Sequence, residues 1–270
     1  MSRVDADGVG IEYEVSGHGR PVVLLHGFPD SGRLWRHQVP ALADAGFQVI
    51  VPDLRGFGKS DKPEAVEAYS LPFLAGDVLA ILGSLGIDRA HVVGHDWGAA
   101  LAWALASLAP DRVDHLAVLS VGNPVTFRRT YQQHEKSWYM LLFQFPGIAE
   151  RWLSDDNWAG FRSWGHHPDA DRVIADLEAN GSLTPGLNWY RANVGPETWV
   201  EPPVQLPPVT APTMGIWSTG DFALTEAQMT DSAENVAAPW RYERIDGPGH
   251  WLQLEAPEQV NALLLDFLPR

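Results

Sequence analysis

Three residues in this chain are of types that do covalent chemistry together. Asp96 is the centre of Gly94-His95-Asp96-Trp97-Gly98, Asp221 follows Ser218-Thr219-Gly220, and His250 lies in Gly247-Pro248-Gly249-His250-Trp251. A Gly-x-nucleophile-x-Gly spacing lets the backbone turn sharply from strand to helix, with glycine where a Cβ would clash. Aspartate at the centre is a nucleophile that needs no base, because a carboxyl with an ordinary pKa of about 3.9 is already ionised at neutral pH. It can attack an sp³ carbon and form an alkyl ester. A histidine oriented by a second carboxylate then takes a proton from water, and that water hydrolyses the ester.

Taken singly, each residue has a plainer explanation. Asp96 could cap a helix, and an Asp or His in a loop is usually just solvated. The joint pattern decides for catalysis. All three lie just beyond the carboxyl ends of stretches that read as strands, where open α/β sheets place their ligands. Of the rival acids, Asp246 is only four residues before His250 and poorly placed to orient its ring. Asn123, after the preceding strand, cannot ionise.

The elements that must position these residues follow from periodicity. Residues 9–16 alternate weakly, as a strand with one solvated face does. The run 22–25 is continuously apolar, as in a strand buried on both faces; 47–51 and 90–93 read as buried strands with one polar residue each, Gln48 and His91, and 113–121, 213–217 and 240–245 also read as strands. Helical spacing covers 33–44, 70–85, 97–109 and a closing segment through Val260, Leu263, Leu264 and Phe267. Strands alternating with helices predict an α/β domain with a largely parallel sheet. Between 125 and 207 no buried-strand run occurs. The helix-compatible segments there are 139–143, 148–153, 158–164 and 173–177, the first three with aromatic residues, and the region holds Trp138, Trp152, Trp158, Trp164, Trp189 and Trp199. It ends in Pro202-Pro203 and Pro207-Pro208, a stiff linker composition. The expected division is a core of 1–124 and 208–270 with a helical insertion, 125–207, as its lid.

Composition narrows the partners. The net charge of −15 argues against nucleic acid and anionic membranes. No cysteine is present, so disulfides, thiol chemistry and Cys-based metal sites are excluded. No apolar run approaches a membrane span and Met1–Asp7 is not a secretory signal, so a soluble cytoplasmic protein is expected. Gly56-Phe57-Gly58-Lys59-Ser60 resembles the end of a phosphate-binding loop, but its first glycine would fall at Asp53. His166-His167 cannot both face one ion from a helix, and His134-Glu135 is followed by Trp138 where a second zinc ligand would stand. Both are expected to be solvated polar groups, and no metal or cofactor beyond water is expected.

His26-Gly27-Phe28-Pro29, the loop 53–60, Gly94-His95-Asp96-Trp97-Gly98, Gly220-Asp221 and Gly249-His250 together resemble the α/β-hydrolase superfamily, in the same nucleophile–acid–histidine order. The chain is most similar to its Asp-nucleophile branch, the epoxide hydrolases and haloalkane dehalogenases, over nearly its whole length. The resemblance implies an α/β-hydrolase fold, a mostly parallel sheet flanked by helices with a helical cap. It implies an oxyanion hole from the backbone N–H groups of Phe28 and Trp97. The segments 143–150 and 187–191 resemble lid elements of soluble epoxide hydrolases, in which two lid tyrosines face the nucleophile. Tyr190 matches one. The other position is Leu142 here, and Tyr139, three residues earlier on the same helix face, is the candidate to replace it, with core packing as its alternative role.

A phenol can protonate the alkoxide of an opening epoxide, whereas halide release asks for weak N–H donors. Trp97 could supply one such donor and a lid tryptophan such as Trp138 or Trp164 a second, since Phe28 has none. In fluoroacetate dehalogenases an arginine follows the nucleophile; Trp97 argues against that class. The expectation is therefore an epoxide hydrolase acting on a hydrophobic epoxide, with a haloalkane dehalogenase as the alternative. A small-molecule receptor of the same fold is the third reading. Self-association is left open.

Overall fold

The computed structural model describes residues 1–127, 129–202 and 205–270; Pro203, in the expected linker, lies outside them. Eight strands form one sheet: β1 (Ser2–Ala6), β2 (Val9–Ser16), β3 (Arg20–Leu25), β4 (Phe47–Pro52), β5 (Ala90–His95), β6 (Val113–Leu119), β7 (Thr213–Ser218) and β8 (Trp240–Ile245). Their spatial order is β1-β2-β4-β3-β5-β6-β7-β8. The β1–β2 and β2–β4 pairs are antiparallel and all others parallel. The helices are α1 (Gln38–Asp44), α2 (Leu71–Ser84), α3 (Trp97–Leu108), α4 (Tyr131–Lys136), α5 (Trp138–Leu142), α6 (Ile148–Gly165), α7 (Ala170–Asn180), α8 (Leu183–Asn193), α9 (Glu226–Thr230), α10 (Leu252–Glu255) and α11 (Pro257–Phe267). This is the expected α/β-hydrolase fold.

The central strands are buried on both faces because helices cover both. Successive residues of β5 serve opposite cores: Val92 packs with α2 and α3, Val93 with α1 and α11. That two-sided burial is what a continuous apolar run signals. No helix among the described residues is long and apolar enough to cross a membrane.

Three local expectations need correction. The single helix over 33–44 is a 3₁₀ turn, Gly32–Trp35, followed by α1. Pro40 has no N–H and is tolerated only in a first turn, so the helix starts just ahead of it. The strand expected to reach 121 stops at Leu119, where Ser120 takes a φ of 67° and turns the chain. β1 was not expected at all. It is a mostly exposed edge strand with little apolar signal, joined to β2 through Asp7 and Gly8, whose φ values of 55° and 82° suit a two-residue hairpin turn.

Between β6 and β7 the described residues contain helices α4–α8 and no strand. The segments 148–153 and 158–164 fall within α6, which is interrupted at Asp155–Trp158 by non-helical backbone. Helix α8 packs onto the ends of the core strands. Trp189 Nε1 donates to the Arg55 carbonyl at 3.0 Å in the loop after β4, and Gly186 lies so close to the Phe28 ring that a side chain there would collide with it.

Candidate active site

The turn between β5 and α3 holds Asp96 at φ 52°, ψ −125°, a backbone that L-residues rarely adopt. Backbone crowding explains the flanking glycines: a Cβ at Gly94 would strike the Gly98 carbonyl, and one at Gly98 the carbonyls of Leu25 and His26. The turn aims the Asp96 side chain at the loop after β3. There the Phe28 N–H donates to Asp96 Oδ1 at 2.9 Å. The Trp97 N–H is in the first turn of α3, where helical amides have no intrahelical acceptor.

His26 sets that loop. Its Nδ1 donates to the Gly27 carbonyl at 3.0 Å and its Nε2 accepts from the Leu54 N–H at 2.9 Å, which ties the ends of β3 and β4 together. Burial lowers the His26 pKa and keeps the ring neutral, as this two-way bonding requires. The loop 53–60 folds onto itself: the Lys59 N–H donates to Asp53 Oδ2 at 3.0 Å, the Phe57 N–H to the Leu54 carbonyl and the Ser60 N–H to the Phe57 carbonyl. Its amides therefore serve a turn rather than a phosphate.

Asp221 and His250 converge on Asp96 from the ends of β7 and β8. His250 Nδ1 is 3.0 Å from Asp221 Oδ2, and its Nε2 is 3.6 Å from Asp96 Oδ2, a charge contact too long for a hydrogen bond. Asp221 Oδ1 accepts from the Ala223 and Leu224 N–H groups at 2.9 Å each. Burial opposes the Asp221 charge, but His250 and these two amides outweigh it and hold its pKa below the ordinary range. Burial likewise opposes a charged His250. The two carboxylates outweigh it and push its pKa up to about 10. The rival Asp246 pairs with Arg244 at 3.0 Å instead, and Asn123 Oδ1 accepts the Val125 N–H in a turn.

Above Asp96 lies a cavity of about 660 Å³, well within the range of small-molecule sites. Its walls are mostly apolar, among them Leu71, Val121, Phe127 and Met140, and Asp96, Trp97, Tyr139 and Tyr190 all reach it. Both tyrosines are buried. Burial and the nearby Asp96 charge raise both phenol pKa values well above 10, so both stay protonated. Trp138 and Trp164 do not line this cavity. Trp138 packs on Trp152 at a ring distance of 5.6 Å, and Trp164 on Tyr139 at 4.7 Å.

The sequence reading missed a second buried cluster beside this site. His167, expected to be solvated, is buried: its Nε2 is 2.7 Å from Asp30 Oδ2, and Arg172 Nη2 is 2.8 Å from Asp30 Oδ1. His166 is exposed. The His167 ring lies 4.2 Å from that of Trp251, the neighbour of His250. Nothing local marks this cluster, because Asp30 and His167 meet only through the fold. A group with metal-ligand chemistry, His91, Asp114 and His115, stands at the opposite ends of β5 and β6, away from the cavity.

The fold and this site define the class: the chain belongs to the α/β-hydrolase fold family, whose model matches residues 20–257. Its relatives narrow the branch. It is 36% identical to epoxide hydrolase A of Mycobacterium tuberculosis, over 98% of this chain and 96% of that one. It is 34% identical to epoxide hydrolase 3 of Xenopus tropicalis, over 98% of this chain and 76% of that one. Among solved structures, an epoxide hydrolase of Bacillus megaterium in complex with an inhibitor superposes with a TM-score of 0.90 at 28% identity, over the full length of both chains.

Proposed function

We propose that this chain is an epoxide hydrolase that converts a hydrophobic epoxide into a vicinal diol through an ester on Asp96. The observation that carries the reading is the pair of buried, protonated phenols, Tyr139 and Tyr190, in the cavity with Asp96. The names of its relatives point the same way. Residues 125–207 form the cap in this reading, with 1–124 and 208–270 as the core domain.

Asp96 Oδ2 attacks an epoxide carbon, since Oδ1 is held by the Phe28 N–H. The C–O bond breaks as a tyrosine donates its proton to the leaving oxygen, which leaves an alkyl ester and a phenolate. Ester formation also removes the Asp96 charge beside His250. The imidazolium then loses its proton, which replaces the one given by the tyrosine. Neutral His250, oriented by Asp221, takes a proton from water as that water attacks the ester carbonyl. The oxyanion forms on Oδ1, where the Phe28 N–H already points and the Trp97 N–H is adjacent. Collapse expels the ester oxygen, which takes the proton of the newly added hydroxyl to complete the diol, and restores the carboxylate beside protonated His250, so no cofactor is consumed.

Dehalogenation by the same nucleophile lacks its second halide donor, because Phe28 has none and Trp138 and Trp164 pack outside the cavity. The test is intact-protein mass spectrometry of His250→Gln, mixed separately with an aryl epoxide and a bromoalkane. A mass gain equal to the whole epoxide is expected. A gain equal to the alkyl group without bromine, and none with epoxides, would overturn the reading in favour of dehalogenation. A receptor would give no adduct with either.

A further inference from the structure

The amino-terminal ends of β5 and β6 carry a cluster that the proposed reaction does not use. Ala90 pairs with Val113 but Val92 pairs with Leu116, so His91 alone stands opposite both Asp114 and His115. This is a β-bulge. In a regular strand adjacent residues point to opposite faces; here the extra residue brings both side chains to His91. His91 Nδ1 lies 3.6 Å from Asp114 Oδ2, and His115 Nδ1 lies 3.9 Å from Asp114 Oδ1. The ligand atoms of the three residues all lie within 4.8 Å of one another.

The protonation state is what makes the cluster unusual. His91 Nε2 is 3.0 Å from the Pro269 carbonyl, which can only accept, so the proton is on Nε2 and Nδ1 presents a bare lone pair. The His91 side chain is fully buried, and neither its Nδ1 nor that of His115 has a hydrogen-bond partner. A lone pair and a carboxylate oxygen facing each other across 3.6 Å repel, and a cation bound to both would relieve that repulsion. Two guanidiniums moderate the carboxylate: Arg20 at 3.0 Å from Asp114 Oδ2 and Arg89 at 4.0 Å from Oδ1.

We propose that His91, Asp114 and His115 bind a divalent transition-metal ion, zinc or a chemically similar ion, through two imidazole Nδ1 atoms and a carboxylate oxygen. The donor set decides the class: imidazole suits zinc, copper and nickel, whereas calcium and magnesium take oxygen ligands. The Nε2–H bond to Pro269 is the outer-shell contact that usually orients a metal-binding histidine. Ligands about 2.0–2.1 Å from zinc stand roughly 3.3 Å apart at tetrahedral angles, so the three side chains need to close in by about an ångström. Water takes the fourth position on the side where Asp114 and His115 are partly exposed. The ion would pin β5 to β6 and, through Pro269, to the carboxyl terminus. It is remote from the reaction: five residues of strand, about 16 Å, separate His91 from Asp96.

The test is zinc titration of chelator-treated full-length protein by calorimetry, with the melting temperature followed alongside. One equivalent is expected to bind at micromolar affinity or tighter and to raise the melting temperature. His115→Gln, at a partly exposed position, should weaken binding at least tenfold and cancel that rise, as should Asp114→Asn. Arg89→Gln should tighten binding by removing a competing cation. Epoxide turnover should be unchanged by the first equivalent. Absence of stoichiometric binding, binding unaltered in His115→Gln and Asp114→Asn, or inhibition by the first equivalent would each overturn the proposal, the last by locating the ion at Asp96 instead.

Discussion

The rings of Tyr139 and Tyr190 stand 6.1 Å apart and nearly perpendicular, one from α5 and one from α8, on the same cavity as Asp96. Each phenol pKa is raised in part by the Asp96 charge, so each hydroxyl lies within that carboxylate's field. Position 142, where the resemblance to soluble epoxide hydrolases implies a second lid tyrosine, is a partly buried Leu packed against the core. One helical turn back, Tyr139 presents its ring on the same face. Two phenols sharing one leaving oxygen can partly cover for each other. Tyr139→Phe and Tyr190→Phe should each slow epoxide opening on the order of 10–100-fold, and the double variant by about 10³-fold or more. Pre-steady-state alkylation rates provide the check. A double variant no slower than either single one would remove one of the two from proton donation.

His250 lies between two carboxylates, and the proposed cycle turns one of them into an ester. Asp96→Asn imitates that loss of charge. The His250 pKa, held at about 10 in the resting protein, should fall toward the ordinary histidine value in the variant. Imidazole NMR titration of the two proteins measures it directly, and an unmoved value would deny Asp96 its influence. Stability follows with a defined sign. A pKa raised in the folded state means the charged ring stabilises the fold fully below about pH 6.5, and that this contribution is lost as pH rises toward 10. Wild type should therefore lose more stability than Asp96→Asn between pH 7 and 10.

Gly27 illustrates what local sequence can and cannot convey. A Cβ there would meet the Asp96 carboxylate, the Asp96 Cβ and the Trp97 amide. Gly27→Ala should therefore displace Asp96 from the Phe28 N–H and cut ester formation at least 100-fold. Adduct mass in a His250→Gln background reports this step alone, and normal alkylation would show that the turn can relax.

The motif residues Asp96, Asp221 and His250 were legible because each sits in a short glycine-marked turn after a stretch that reads as a strand. Two-sided burial made the central strands legible for the same local reason. β1 was not, because an exposed edge strand carries no apolar period. Helix α1 began late because Pro40 limits how far a first turn extends upstream. The pairing of Asp30 with His167 spans 137 residues, and the bulge that gathers His91, Asp114 and His115 depends on a neighbouring strand's register. Neither leaves a trace in local spacing.

Asp30 closes the circuit between helix α7 and the loop that carries Phe28. Its carboxylate is buried, with His167 on one oxygen and Arg172 on the other. Burial opposes the charge, but these two partners more than offset it and hold the Asp30 pKa far below the ordinary carboxylate range. A depressed carboxylate stabilises the fold above its unfolded pKa of about 3.9, and that contribution is lost as pH falls through the folded value. Asp30→Asn takes the carboxylate from the fully buried His167 and from Arg172, which keeps Asp176 at 3.0 Å, and should cost on the order of 3 kcal/mol at pH 7. The gap between variant and wild type should shrink as the pH is taken below 4. Urea denaturation at pH 7 and at the lowest pH where both proteins still fold measures both quantities. Because Asp30 is two residues from the Phe28 N–H, ester hydrolysis should slow in the same variant even where it is fully folded. A variant as stable as wild type at pH 7, with an unchanged hydrolysis rate, would reduce this cluster to a passive ion pair.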